Sequence, residues 1–210
     1  MDGFDCSSGA ITPSPIEECP AGYYCPLGVK TPCPIGTFLN TPGAHSVTDC
    51  IPCTAGYYCD SLGMDFDPQI LGQGETLKCK AGYFCFSGAS QYEPIDDISM
   101  PPLFGICPVG HYCPEDGTAE PIQCPDGYYQ DITGQTECSN QCPEGFICSG
   151  VKISYNSTDE CPAGYYCPND GTTWNSIEPC PLGTYRDVDM NRPASNPDDC
   201  EVRFCYHEII

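Results

Sequence analysis

The sequence predicts small disulfide-rich repeats, an elongated rod of short β-ribbons and turns with little or no helix and no large hydrophobic core. Three observations carry this prediction. Cysteine supplies 20 of 210 residues, spread from Cys6 to Cys205, a density typical of disulfide scaffolds. Leu, Ile, Val and Phe make up only about a sixth of the chain and the formal net charge is −22, a balance that without cross-links predicts disorder. Finally, the octet CPAGYYCP at residues 19–26 returns unchanged at 161–168.

Aligning on that octet gives the template Cys-x-x-Gly-aromatic-x. Its short form places a second cysteine six residues after the first, at Cys19/Cys25, Cys53/Cys59, Cys79/Cys85, Cys107/Cys113, Cys142/Cys148 and Cys161/Cys167. A long form delays the second cysteine, from Cys33 to Cys50, Cys124 to Cys138 and Cys180 to Cys200. The order short, long, short, short begins at residue 19 and again at 107, as expected if a block of about 90 residues was duplicated. The predicted organisation is therefore 1–18, the end of a truncated repeat plus a linker; 19–106 and 107–179, two blocks of four repeats; 180–204, a ninth repeat; and 205–210, the start of a further one. Gly3, Phe4 and Cys6 match the fourth, fifth and seventh template positions, so both ends read as cut through a repeat.

Each element of the template has a physical reading. Cys-Pro-x-Gly predicts a type I reverse turn, with proline fixing φ and glycine closing it. The aromatic pair predicts a short extended segment. Sulfur, proline ring and aromatic ring give each unit a small apolar surface that its neighbour must cover. The longest inserts, 60–78 and 86–106, read as surface loops.

Two non-crossing disulfide registers fit. One joins Cys33 with Cys50, Cys124 with Cys138, Cys180 with Cys200 and each short pair with itself, leaving Cys6 and Cys205 open. The other joins successive repeats, at the cost of tight rings at Cys50/Cys53 and Cys138/Cys142. The long pairs favour the first register. For the short pairs both stay open, because six extended residues span roughly 20 Å and close only if the turn folds back. A link across ~15 residues contributes roughly 3 kcal/mol by loop entropy, so reduction is expected to unfold the chain.

Cystine at this density implies an oxidising compartment and a secreted or cell-surface protein. Zinc fits poorly, since the chain has a single CxxC, at 50–53, and three histidines. The opening MDGFDCSSGA has neither the basic nor the apolar stretch of a leader, so a mature fragment of a longer precursor is expected. No apolar run approaches the ~20 residues of a membrane span. Seven basic against 29 acidic residues exclude a phosphate-binding patch for nucleic acid.

The runs CPIGTF…CIPC and CPDGYY…CSNQC resemble the ephrin-receptor-like cysteine-rich repeat, itself similar in style to tumour necrosis factor receptor modules. The resemblance covers roughly residues 19–205, and the short CPAGYYCP form is closer to protist surface arrays. It implies an extended, stapled, non-catalytic stalk or filament.

Catalysis finds no constellation. His45, His111 and His207 fall in different repeats, and CIPC reads as the hinge between a closing and an opening cysteine. No cofactor is expected. Calcium is the one metal considered: Asp187, Asp189 and Asn191 alternate as in a calcium loop with Asp198 beyond, although Arg192 stands where glycine is usual. Asn156-Ser157-Thr158 is a glycosylation sequon in a polar stretch, so covalently attached glycans are considered. The function expected is a structural protein, a segment or protomer of a surface filament that associates head to tail, with Cys6 and Cys205 able to bond between copies. The alternative is a receptor or adhesin ectodomain binding a protein or glycan.

Overall fold

The computed structural model describes residues 3–6, 18–70, 75–91, 104–154, 159–168, 173–187 and 193–202. Among them there is no α-helix, only seven two-stranded antiparallel sheets and short 3-10 turns. Small ribbon repeats without a large core are thus the architecture.

The reverse turn sits one residue later than the sequence suggested. In all nine units the N–H of the fifth position donates to the C=O of the second, from Tyr23 to Pro20 at 3.1 Å through Thr184 to Pro181 at 3.0 Å. Glycine is therefore the third residue of the turn, with φ between +78° and +88° in every copy, the backbone of a type II turn. Proline occupies the first position, where its fixed φ is not what the turn needs. That is why Thr54 and Lys80 replace it with bonds of 3.0 and 2.9 Å.

After the turn, the aromatic segment pairs with the residues just before the next opening cysteine. The chain divides into two compact units. In the first, Met1–Cys107 with Cys113–Pro121, β1 (Tyr23–Tyr24) pairs with β2 (Thr31–Pro32), β3 (Thr37–Phe38) with β4 (Ile51–Pro52), and β5 (Tyr83–Cys85) with β6 (Phe104–Ile106). In the second, Pro108–Tyr112 with Ile122–Ile210, the ribbons are β7 (His111–Tyr112) with β8 (Ile122–Gln123) and β9 (Tyr128–Tyr129) with β10 (Asn140–Gln141). They continue with β11 (Tyr165–Tyr166) and β12 (Glu178–Pro179), then β13 (Thr184–Tyr185) and β14 (Glu201–Val202). Single bridges Phe4–Glu18, Tyr57–Lys78 and Phe146–Glu160 keep the same register where no full strand forms. Phe4 thereby occupies a template position.

Nine disulfides close within repeats: the six short pairs, and Cys33–Cys50, Cys124–Cys138 and Cys180–Cys200. The positive-φ turn brings the short pairs to Cα separations of 5.7–6.1 Å, inside disulfide reach. Their sulfurs are the core. The buried clusters consist of cystine with one to three neighbours, such as Phe38 and Met64 around Cys53–Cys59, or Ile147, Tyr166 and Ala194 around Cys161, Cys167 and Cys200.

The inserts are less superficial than expected. Met64 is buried and bridges Phe38, Pro68 is fully enclosed, and Ala89 is inaccessible beside Cys79–Cys85. Phe86 packs edge-on against Phe84 at 5.1 Å. With so little apolar material inside the units, the insert ends supply some of it.

Packing also reaches beyond the adjacent repeat. A Cβ on Gly22 would stand 2.2 Å from the C=O oxygen of Gly63, on Gly36 2.5 Å from that of Gly88, and on Gly56 2.3 Å from that of Gly117. In each case the obstacle lies two repeats further on. In the second unit the equivalent obstacles are Val151 for Gly110, at 2.6 Å, and Pro193 for Gly145, at 2.3 Å. At these positions glycine is needed both for its φ and because another backbone or ring lies against it.

Gly56→Ala is expected to cost about 1–2 kcal/mol for the left-handed backbone and about 1–3 kcal/mol more for the collision. Gly43→Ala, at φ +88° but with nothing within 4 Å of the new methyl, carries only the first cost. Urea denaturation with the disulfides intact checks the difference, and equal midpoints would refute the packing argument.

Candidate functional site

The feature repeated most faithfully is a pair of hydrogen bonds on the turn glycine. Its C=O accepts from the N–H of the next opening cysteine, at 2.8–3.0 Å, as in Cys33 to Gly22 and Cys53 to Gly36. Its own N–H donates to the seventh-position C=O of the next unit, at 2.7–3.1 Å. Five such rungs lie in the first compact unit and four in the second. The glycine peptide groups face along the repeat direction because the type II turn rotates them out of its plane.

In short units the seventh residue is the closing cysteine. In long units it is Leu39, Gln130 or Arg186, all almost completely buried, and each accepts the same bond through its C=O. The rung uses backbone only, so the seventh side chain is free to vary provided it can be enclosed. Gln130 is enclosed with its amide satisfied: Nε2 donates to the Glu137 C=O at 3.1 Å and Oε1 accepts from the Ile132 N–H at 3.3 Å.

Further bonds tie neighbouring units. The seventh-position N–H donates forward, from Cys25 to Ala44 (3.0 Å), Leu39 to Met64 (2.9 Å), Cys59 to Ala89 (2.9 Å) and Gln130 to Lys152 (3.0 Å). A second glycine in the tail of the next repeat bonds back to the opening cysteine: Gly43 to Cys19, Gly63 to Cys33, Gly88 to Cys53 and Gly117 to Cys79, at 2.6–2.9 Å. The sequence reading missed these tail glycines. Their signal was a glycine three or four residues past the seventh position, with φ between +70° and +88°.

Two long loops end on matching capping boxes. The Asp49 carboxylate accepts from the His45 and Ser46 N–H groups at 2.8 and 3.0 Å, and that of Asp199 from Ser195 and Asn196 at 2.9 and 3.1 Å. These backbone donors, first His45 and then Ser46, hold the Asp49 carboxyl below its ordinary value near 3.8. In the second unit Tyr166 donates its phenol to Glu178, whose negative charge pushes the phenol pKa up. Lys152 and Asp159 pair across the base of the 153–158 loop.

The sites proposed from sequence are not gathered into one place. Asp198 is exposed, in the first turn of the 3-10 segment Pro197–Asp199, with its N–H bonded to Asn196. Asp187 is half-buried. Asp189, Asn191, the sequon residues 156–158, His207 and Cys205 lie outside the described residues. Among the described residues no three His, Cys, Asp or Glu side chains converge as a metal set, and no helix is long and apolar enough to cross a membrane. The CIPC pair belongs to two different disulfides, Cys33–Cys50 and Cys53–Cys59, with Ile51–Pro52 between them as strand β4. His111 lies in strand β7 with its Nδ1 3.2 Å from the Val109 C=O. Cys6 is exposed and unbridged. No family model matches the chain, and no curated protein matches it.

Gln130→Ala is expected to cost about 1–3 kcal/mol by leaving a buried C=O and N–H unmatched, read as a lower denaturation midpoint. Asp49→Ala has a pH signature. A depressed carboxyl pKa stabilises the fold above about 4, and that contribution is lost as pH falls through the folded-state value. The variant should fall below the parent at pH 7 and converge with it near pH 2; a gap independent of pH would refute the capping role.

Proposed function

We propose that the chain is an extracellular structural protein, a segment or protomer of a cell-surface filament or hair built from cystine repeats. The observation that carries this reading is the rung. The turn that recurs in every unit spends its peptide groups on the next unit and its sulfurs on its own closure. Residues selected in this way serve continuity of an array. Nine disulfides require an oxidising environment, which supports placement outside the cell. The net charge of −22 keeps separate arrays apart laterally in solution and leaves end-on contacts as the route to longer structures.

The resemblance to ephrin-receptor-like repeats supports the same reading, because such repeats serve as spacers and stalks. Glycans at Asn156 would suit an exposed surface fibre. Electron microscopy of the native, non-reduced protein tests the proposal. Fibres that disperse and unfold on reduction are expected, and dispersed particles that bind a soluble partner saturably would overturn it in favour of a receptor role.

A further inference from the structure

The rung has an open example. Of the ten turn glycines, the eight from Gly3 to Gly145 are buried, Gly164 is half-buried and Gly183 is exposed. Among the described residues neither the N–H nor the C=O of Gly183 has a backbone partner, and nothing lies within 4 Å of where a Cβ would stand on Gly164 or Gly183. The turn itself is formed as in every other unit, with φ +87° and Thr184 bonded to Pro181 at 3.0 Å. Gly183 therefore presents a preformed donor and acceptor of the kind that each preceding unit satisfies with its successor.

The next residues do not repeat the template. Strand pairing aligns Thr184 with Val202, and in the eight preceding units the residue aligned in this way stands just before an opening cysteine. Here the following residue in sequence is Arg203, and 203–210 contain no glycine for a turn. The expectation that Cys205 opens a further repeat is thus out of register with the ladder.

A matching partner surface exists on the first repeat. Gly3, Phe4 and Cys6 occupy template positions, with Gly3 donating to Cys25 at 3.0 Å, Cys19 donating to Gly3 at 2.9 Å and Cys6 donating to Gly28 at 3.1 Å. Every other seventh-position residue is buried, whereas Cys6 is exposed. Its C=O is the group to which the glycine of a preceding unit would donate.

We propose that Gly183 of one chain is the docking edge for residues 3–6 of a second copy. The Gly183 N–H donates to the Cys6 C=O, and the ladder continues in register from one molecule into the next. This rests on the structural reading above and names the contact through which arrays extend. It is heterologous, so successive copies add without closing on themselves. By the internal rule, the unit two places on then lies against the bare face of the docking glycine, as Gly63 lies against Gly22.

The test uses Gly183→Ala and Gly164→Ala in the full chain. Both sites have room for a methyl within one copy, so each variant carries only the left-handed backbone cost, and an unchanged urea midpoint elsewhere and intact disulfides report that the repeats fold. In sedimentation velocity the parent should grow in size with concentration, with hydrogen exchange slowing at the Gly183 amide as it does, and Gly183→Ala should weaken association at least tenfold. A parent that grows while its Gly183 amide stays unprotected, or a Gly183→Ala protein that associates like the parent, overturns this contact and leaves the structural reading standing. A parent that stays monomeric at all concentrations overturns the contact, and absence of fibres in native material overturns the structural reading itself.

Discussion

Everything in this fold depends on a glycine held at positive φ. A residue with a side chain prefers other regions of the backbone map, and the left-handed bend does three things at once. It turns the chain back so that cysteines six apart meet, it points one N–H and one C=O toward the next repeat, and it leaves a face flat enough for another backbone to touch. Any side chain there would oppose the first and block the third. The cystines lock this geometry, but the glycine creates it.

That division of labour explains how so little apolar material suffices. A conventional domain offsets chain entropy by burying a contiguous core; here each unit buries a disulfide and a few neighbours, and cross-links shrink the unfolded ensemble instead. Residues with no template role are recruited where they can be, as with Met64 and Pro68 from a long insert. The small clusters need one another, because each is roofed by the following repeat and touched by the one after it.

The fold class was legible in the sequence because cysteine spacing and the CPAGYYC echo record covalent and turn geometry directly. The half-repeat at Gly3, Phe4 and Cys6 was legible for the same reason. The turn register was not: proline, which is conspicuous, suggested the wrong starting residue, while the φ of glycine is invisible until the bonds are seen. The tail glycines at 43, 63, 88 and 117 were hidden by unequal insert lengths, and the seventh position of long units by its variety. Leu39, Gln130 and Arg186 share no chemistry; they share a backbone carbonyl. Contacts two repeats apart leave no pattern in a single sequence, since any glycine satisfies them.

Because the rung is made of peptide groups, it is indifferent to what the rest of each unit carries. Loops can lengthen from short to long form, acids can accumulate on the surface, and the seventh side chain can change, without altering the bond that joins unit to unit. A repulsive, acidic exterior and a cohesive axis of contact can then coexist in one chain. The same indifference means that an unfilled rung recognises another copy of the template by backbone geometry alone. Specificity for the array's own kind follows from the turn, since only a chain already folded with glycine at that bend offers its carbonyl at the matching height.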